Sequence, residues 1–235
     1  AWSRLIEKHP DTTAAASAVI ARADARQRTG DFAGGLADTE QVLADRSTLA
    51  TKLDPEAIAE ARFIQGLCLA GQEKHAQAAA TFQRLLDSQP AYAAADRALF
   101  EMGLALSAAG KPDEAGRTFA HLVKRYPKSS YAADAWLELA EQRFGAEDWP
   151  AAADAYRAAI AAAGSSPELA SLVEQARHKL GWTHVMRKDH PAAAETFGAQ
   201  LAAAPDGPLA ADASALLGDA LVSLGKPTDA AKALA

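Results

Sequence analysis

The chain has 235 residues, 49% of them hydrophobic and 23% charged, and its formal net charge at pH 7 is −6. Acidic and basic residues are mixed along it without a lysine- or arginine-rich run, which argues against nucleic acid as a partner. No apolar stretch approaches the roughly 20 residues that a transmembrane helix needs, so we expect no direct membrane span.

A partial helical unit comes first, in residues 1–10, and turn-forming and apolar residues then predict twelve helices. In chain order these helices cover 13–28, 32–46, 55–71, 75–88, 92–109, 112–125, 129–145, 149–162, 167–187, 191–203, 208–224 and 227–235. Pro90, Pro127 and Pro205 mark helix ends, because proline cannot continue a helix and disfavours helical geometry in the residue before it. Residues 46–55 and 164–167 carry turn chemistry and are predicted inserts between helices.

The predicted helices repeat with a fixed spacing. A small residue recurs at Ala23, Gly66, Gly103, Ala140, Gly181 and Gly218. An aromatic or other apolar residue follows 16 positions later at Phe82, Phe119, Tyr156, Phe197 and Leu234. Three of the intervals between the small residues are 37 residues, and the two longer ones contain the inserts. A period in the thirties predicts a solenoid, in which each helical hairpin buries its apolar face against its neighbours.

This spacing resembles the tetratricopeptide repeat (TPR), which has alanine at the position that here reads Ala78, Ala115, Ala152, Ala193 and Ala230. The 37-residue unit and the segments 126–132 and 135–140 are similar to the longer TPR subtype of bacterial cell-envelope proteins. Examples are the outer-membrane assembly lipoprotein and the coordinator of the Tol–Pal system. The resemblance implies an all-α, right-handed superhelical α-solenoid of about six stacked antiparallel helix pairs.

The repeats predict one continuous array over residues 1–235. After the partial repeat 1–10, the units lie at about 13–47, 55–90, 92–127, 129–164, 167–205 and 208–235. Neither end has a polar capping helix, so we expect the chain to be a fragment of a longer protein.

Catalytic and metal-binding patterns are weak. Cys68, the single cysteine, lies between leucines and is predicted to be a buried apolar residue. His178, His184 and His190 are spaced by six, which on a helix turns neighbours to different faces. Phosphate loops, nucleophile elbows and zinc-ligand clusters do not occur. The sequence therefore predicts a non-enzymatic protein without a cofactor or metal.

The inner groove of a TPR array is lined by its first helices, and the resemblance places the candidate partner-binding residues there. They are Phe63, Leu67, Arg97, Phe100, Leu104, Asp134, Glu138, Glu141, Phe144, His178, Trp182 and Met186. Phe63 and Phe100 have a second interpretation, as rings that pack between helices. The groove positions hold eight acids and three bases, which favours an apolar partner segment with basic flanks.

The predicted function is a scaffold that holds a protein or peptide segment in this groove, in a periplasmic or envelope complex. Two alternatives remain open. The chain would be the non-catalytic superhelical domain of a larger envelope enzyme, or a structural array that self-associates through its uncapped ends.

Overall fold

The computed structural model describes residues 2–10, 12–44 and 47–234, and in these ranges it contains helices and no strands. The contacts among these residues form two compact units, one up to Thr118 and one from Phe119 onward. The boundary lies within helix α7 (Pro112–Arg125).

The first unit consists of paired helices joined by short turns. They are α1 (Trp2–Lys8), α2 (Thr13–Arg28), α3 (Phe32–Leu43), α4 (Pro55–Gly71), α5 (His75–Ser88) and α6 (Ala95–Ala108). Each helix packs on the next, and the first helices of successive pairs, α2, α4 and α6, also contact one another in order. A 3₁₀ turn at Ala50–Lys52 occupies the first insert.

The second unit repeats this arrangement. Its helices are α8 (Ala132–Gly145), α9 (Trp149–Ala163), α10 (Ala170–Met186), α11 (His190–Ala203), α12 (Ala210–Ser223) and α13 (Pro227–Ala233). Consecutive helices pack on each other, and α8 contacts α10 directly. A 3₁₀ turn at Pro167–Leu169 begins at the end of the second insert. The predicted all-α solenoid of about six repeats is thereby confirmed, while one continuous array over both units remains a prediction.

Most helix boundaries agree with the sequence prediction, but α6, α8, α10 and α12 begin two or three residues later than expected. The predicted start of α10 is the 3₁₀ turn at Pro167–Leu169. Before α6, α8 and α12, the residues that the prediction assigned to the helix form a separate turn, closed by Ala95 N–H donating to the Tyr92 carbonyl, Ala132 N–H to Ser129, and Ala210 N–H to Gly207. Each of these turns follows a proline turn, and the proline turns are closed by Tyr92 N–H donating to the Gln89 carbonyl, Ser129 N–H to Tyr126, and Gly207 N–H to Ala204. Proline favours the second position of such a turn because its ring fixes φ near the value that this position requires. Residues 45, 46 and 235 of the predicted helices lie outside the described residues.

The recurrent small residues lie where an aromatic ring packs directly on a helix backbone. A Cβ atom built on Gly66 would lie 2.5 Å from the Phe82 ring, and one on Gly181 would lie 2.5 Å from the Phe197 ring. Both rings are fully buried. The repeat therefore pairs a glycine with a phenylalanine because any larger residue would separate the two helices of a hairpin.

The turn inside each hairpin requires one residue in the left-handed backbone conformation, with positive φ. Gly30, Gly110 and Gly225 have positive φ there, and Glu73, Glu147 and Lys188 occupy the same position in the other repeats. Non-glycine residues adopt this conformation at a steric cost.

The residue after this left-handed position is the N-cap of the second helix, and the repeats differ in how its side chain caps that helix. Asp31 accepts a hydrogen bond from Gly34 N–H, and Asp148 accepts one from Ala151 N–H, but Lys74 makes no side-chain cap. An aspartate in place of lysine satisfies one of the free N–H groups of the first turn.

We therefore expect Lys74→Asp to raise the free energy of unfolding by about 1 kcal/mol, the usual value of a side-chain cap. Urea unfolding of the variant and wild type measures the difference. Asp148→Lys is the reciprocal control and should lose a similar amount. Equal stability of all three proteins would show that the cap is replaced by water at no cost.

Candidate functional site

The second unit brings together several groove residues through Glu141 on α8. Its Oε2 atom accepts a hydrogen bond from Lys179 Nζ of α10 at 3.0 Å, and its Oε1 atom accepts one from the Tyr156 hydroxyl at 2.8 Å. Lys179 Nζ also lies 5.1 Å from the centre of the Phe144 ring, within cation–π range. These contacts fix the groove side of α10 beside that of α8.

Lys179, Trp182 and Met186 follow one another at spacings of three and four residues, so they lie along one face of α10. We call this the α10 face. Trp182 is half-buried, and Met186 is among the most exposed large apolar side chains, at 47%. A half-buried indole and an exposed thioether one helical turn apart form an apolar contact surface.

Asp134, Glu138 and Glu141 lie on one face of α8, and we call them the α8 carboxylates. Burial raises the pKa of Asp134, and it also raises the pKa of Glu138, with smaller contributions from the charges of Glu141 and Asp134. Glu141 is paired with Lys179, so the predicted acidic rim of three carboxylates is reduced to two that lack a cationic partner among the described residues. A poorly solvated carboxylate gains more from an added cation than a fully exposed one does.

Two of the predicted partner-binding residues are buried in packing contacts. Phe63 is 2% exposed, with ring centroids 5.7 Å from Phe82 and 6.2 Å from Tyr92. His178 is 7% exposed, and its Nε2 atom lies 2.9 Å from an Asp212 carboxylate oxygen. Both rings are packed against neighbouring side chains, which favours the packing interpretation of Phe63, and a partner-binding role for these two residues stays a prediction.

The remaining predicted residues of the first unit are partly exposed. Arg97 covers the face of Phe63 at 4.8 Å and lies 3.9 Å from Glu101. Leu67, Phe100 and Leu104 are each half-buried. Burial raises the pKa of Glu101, and the Arg97 charge partly opposes this.

The sequence prediction missed the tyrosines that bridge helices to groove acids. The Tyr156 hydroxyl donates to Glu141, and the Tyr92 hydroxyl donates to Glu60 at 2.7 Å. Tyr156 occupies the packing position where most repeats have phenylalanine, and that substitution was the available signal. A buried tyrosine hydroxyl needs a partner, and a groove acid supplies it.

The described side chains give little support for a catalytic site. Cys68 is fully buried, and burial raises the pKa of its thiol to about 11, so the nucleophilic thiolate is not formed near neutral pH. Over residues 2–10, 12–44 and 47–234, histidine, cysteine and acidic side chains do not form a group of three or more that could hold a metal ion. No helix within these ranges is both long and apolar enough to cross a membrane.

Family comparison agrees with the repeat geometry. A family model described as "Tetratricopeptide repeat-like domain" matches residues 70–235, and one described as "Tetratricopeptide repeat" matches residues 20–93. The chain belongs to the tetratricopeptide repeat family. A search of curated protein sequences finds no significant match for this TPR protein.

Solved structures of other TPR proteins share its fold. BtubC (BKLC) from P. vanneervenii matches 86% of this chain and 85% of its own, with a TM-score of 0.65 and 16% identity. YrrB, described as a TPR protein with an unusual peptide-binding site, matches 91% of this chain and 97% of its own, with a TM-score of 0.62 and 18% identity. MamA matches 72% of this chain and 90% of its own, with a TM-score of 0.57 and 22% identity. At these identities the similarity concerns the fold.

Proposed function

We propose that this TPR protein is a non-enzymatic scaffold that holds a segment of a partner protein against the α10 face and the α8 carboxylates. The observation that carries the proposal is the half-buried Trp182 and exposed Met186 on the α10 face, which the 3.0 Å contact between Lys179 and Glu141 joins to the helix of the α8 carboxylates. Large rings at the centre of a contact surface commonly supply most of the binding energy. Peptide binding by YrrB, a protein of the same fold, supports this kind of function.

The chemistry of the two surfaces specifies the partner segment. Trp182 and Met186 suit apolar side chains, whereas Asp134 and Glu138 suit a lysine or arginine that flanks them. Lys179 adds no free positive charge, because it is already paired with Glu141 at 3.0 Å. We therefore propose an apolar segment with basic flanks, in which the apolar part provides affinity and the charges guide association.

The cellular setting that we propose is a bacterial envelope complex, on the resemblance of segments 126–132 and 135–140 to envelope TPR proteins. Assembly of copies into an array is the competing arrangement. Sedimentation at increasing protein concentration separates the two, since a scaffold of this kind keeps a constant mass and a self-associating array does not.

Selection of binders from a random peptide display library tests the proposed partner chemistry and does not require the natural partner. Peptides enriched on the wild-type protein should combine apolar residues with flanking lysine or arginine. Enrichment of acidic peptides, or of peptides that bind equally well after the α10 face is altered, would contradict the proposal.

The pH dependence of binding gives a second expected result. The pKa of Glu138 is raised above its ordinary value of 4.5, and a bound cation lowers it again. Binding of a basic peptide therefore releases a proton, so its affinity should rise as the pH increases from about 4.5 to neutrality. Glu138→Gln should flatten this rise and weaken binding at pH 7 by up to about 1 kcal/mol.

Asp154→Asn is the matched control for this pH experiment, because it removes an exposed carboxylate on α9 that is paired with Arg157. Isothermal titration of the same peptide into the three proteins at several pH values gives the comparison. A wild-type profile in Glu138→Gln would show that Glu138 does not contact the peptide.

A further inference from the structure

Glu141, Phe144 and Tyr156 together form a place for one positive charge, and we call it the cation subsite. The Tyr156 hydroxyl donates to Glu141 Oε1 at 2.8 Å, and the Tyr156 side chain is fully buried. Burial raises the pKa of Tyr156, and the bond to Glu141 adds to this effect, so the hydroxyl keeps its proton and remains a donor. The Glu141 carboxylate is therefore held by a side chain that is itself fixed in the core.

The Phe144 ring forms the second wall of the cation subsite. It meets the Trp149 ring edge-on at a centroid distance of 5.1 Å and the Tyr156 ring at 6.5 Å. Phe144 itself stays half-buried, so part of the residue is open to solvent. A carboxylate and an aromatic ring that lie next to each other attract a cation, the first through its charge and the second through its quadrupole.

Lys179 of α10 occupies the cation subsite in the free protein. Its Nζ atom lies 3.0 Å from Glu141 Oε2 and 5.1 Å from the centre of the Phe144 ring. The side chains of Lys179 and Glu141 are 34% and 35% exposed, so about a third of each remains in contact with water. A partly exposed ion pair contributes little to stability, so another cation can compete for the same carboxylate.

The paired carboxylate of Glu141 belongs to the same surface as the two that remain open, Asp134 and Glu138. Glu138 and Glu141 are neighbours at a spacing of three residues on α8, and the charge of Glu141 adds to the effect of burial in raising the pKa of Glu138. Trp182 is in turn three residues from Lys179 on the α10 face. A segment that covers Trp182 and reaches Glu138 therefore lies beside the cation subsite.

We propose that Lys179 is a specificity-determining residue, which masks the cation subsite and restricts the groove to partner segments whose basic residues pair with Asp134 and Glu138. This inference rests on the proposed function, since it concerns which basic segments that groove prefers. A third arginine of the partner meets the Lys179 ammonium where Glu141 is already paired. Once Lys179 is removed, that arginine pairs with Glu141 through its fork of donors and stacks on Phe144.

Nuclear magnetic resonance titration with two defined peptides measures this preference. The first is a capped leucine–alanine–leucine–alanine–arginine–arginine–arginine peptide, and the second has citrulline at the three arginine positions, which removes the charge and keeps the shape. The Trp182 indole signal reports binding in the groove, and the ratio of the two affinities reports charge selectivity. In Lys179→Met this ratio should be about tenfold higher than in the wild type, because the third arginine gains a charge-assisted pair.

Two further variants separate unmasking of the subsite from a change in net charge. Arg157→Met removes an arginine of α9 that is also paired, at 2.8 Å, and changes the net charge by the same amount as Lys179→Met. Its affinity ratio should stay at the wild-type value. The double variant with Lys179→Met and Glu141→Gln has the wild-type net charge and a neutral amide in the subsite, so it should lose most of the gain.

Each variant is first shown to be folded by its unfolding curve, and Lys179→Gln, which keeps a polar side chain, is a second way to unmask the subsite. An unchanged ratio in Lys179→Met and Lys179→Gln would overturn the proposal. So would a gain that persists in the double variant, or an equal loss of affinity for both peptides, which would show that Lys179 only positions α10. If neither peptide shifts the Trp182 signal in any of these proteins, the groove is not the binding site, and the proposed function fails together with this inference.

Discussion

Phe197→Ala should lower the free energy of unfolding by about 3–5 kcal/mol, the range for removing a fully buried phenylalanine. The Phe197 ring packs on the backbone at Gly181 and meets the His178 ring edge-on at a centroid distance of 5.8 Å. It also joins the buried cluster of Ala193, Ala213 and Ala220 at the centre of the α11–α12 contact. The alanines of this cluster are too small to fill the cavity that the substitution would leave.

Urea unfolding followed by circular dichroism measures this loss. Val222→Ala is the matched control, because Val222 is exposed and should change stability by less than about 0.5 kcal/mol. A loss of less than about 1 kcal/mol in Phe197→Ala would mean that the repeat does not depend on its aromatic residue.

Asp38→Ala should destabilise the protein by about 3–5 kcal/mol, the cost of removing one partner of a buried ion pair and leaving the other charge without compensation. Asp38 is 3% exposed and accepts hydrogen bonds from three guanidinium nitrogens. Two come from Arg22, at 2.6 and 2.9 Å, and one comes from Arg26, at 2.8 Å. Its removal leaves two arginines of α2 without their carboxylate, and Arg22 is mostly buried.

The exposed pair of Arg157 and Asp154 provides the comparison. Asp154→Ala removes an ion pair of similar length, 2.8 Å, in which both side chains face water. Such pairs contribute less than about 1 kcal/mol. The same small loss in Asp38→Ala would show that water replaces the carboxylate and that the Arg22–Asp38 contact does not anchor α2 to α3.

The fold could be predicted from the sequence because its determinants are local and recur. Gly66 and Gly181 mark close contacts with Phe82 and Phe197, and the spacing between each pair is visible without coordinates. The starts of α6, α8 and α12 could not be predicted as well. A separate turn and the first turn of a helix have similar residue preferences, and the hydrogen bond that decides between them is known only from the structure.

The candidate site was predictable only in outline. The repeat register placed Trp182 and Met186 on the groove side, and the structure leaves Trp182 half-exposed and Met186 exposed. The register could not show that Lys179 neutralises Glu141, because that contact joins residues 38 positions apart in different repeats. Nor could it show that His178 is buried. Exposure depends on the partner that each side chain finds, and the positional pattern carries no information about that partner.

The affinity of Trp182→Ala for the most enriched basic–apolar peptide tests the proposed groove most directly. We expect it to be weaker by about 2 kcal/mol or more, roughly thirtyfold in Kd, because the indole is the largest apolar contact on the α10 face. Trp2→Ala is the matched control, since it removes a partly exposed tryptophan from α1, and both variants are first shown to be folded by their unfolding curves. A thirtyfold loss in Trp182→Ala with wild-type affinity in Trp2→Ala is the result that the account predicts. Wild-type affinity in both would contradict it and exclude the α10 face as the binding site.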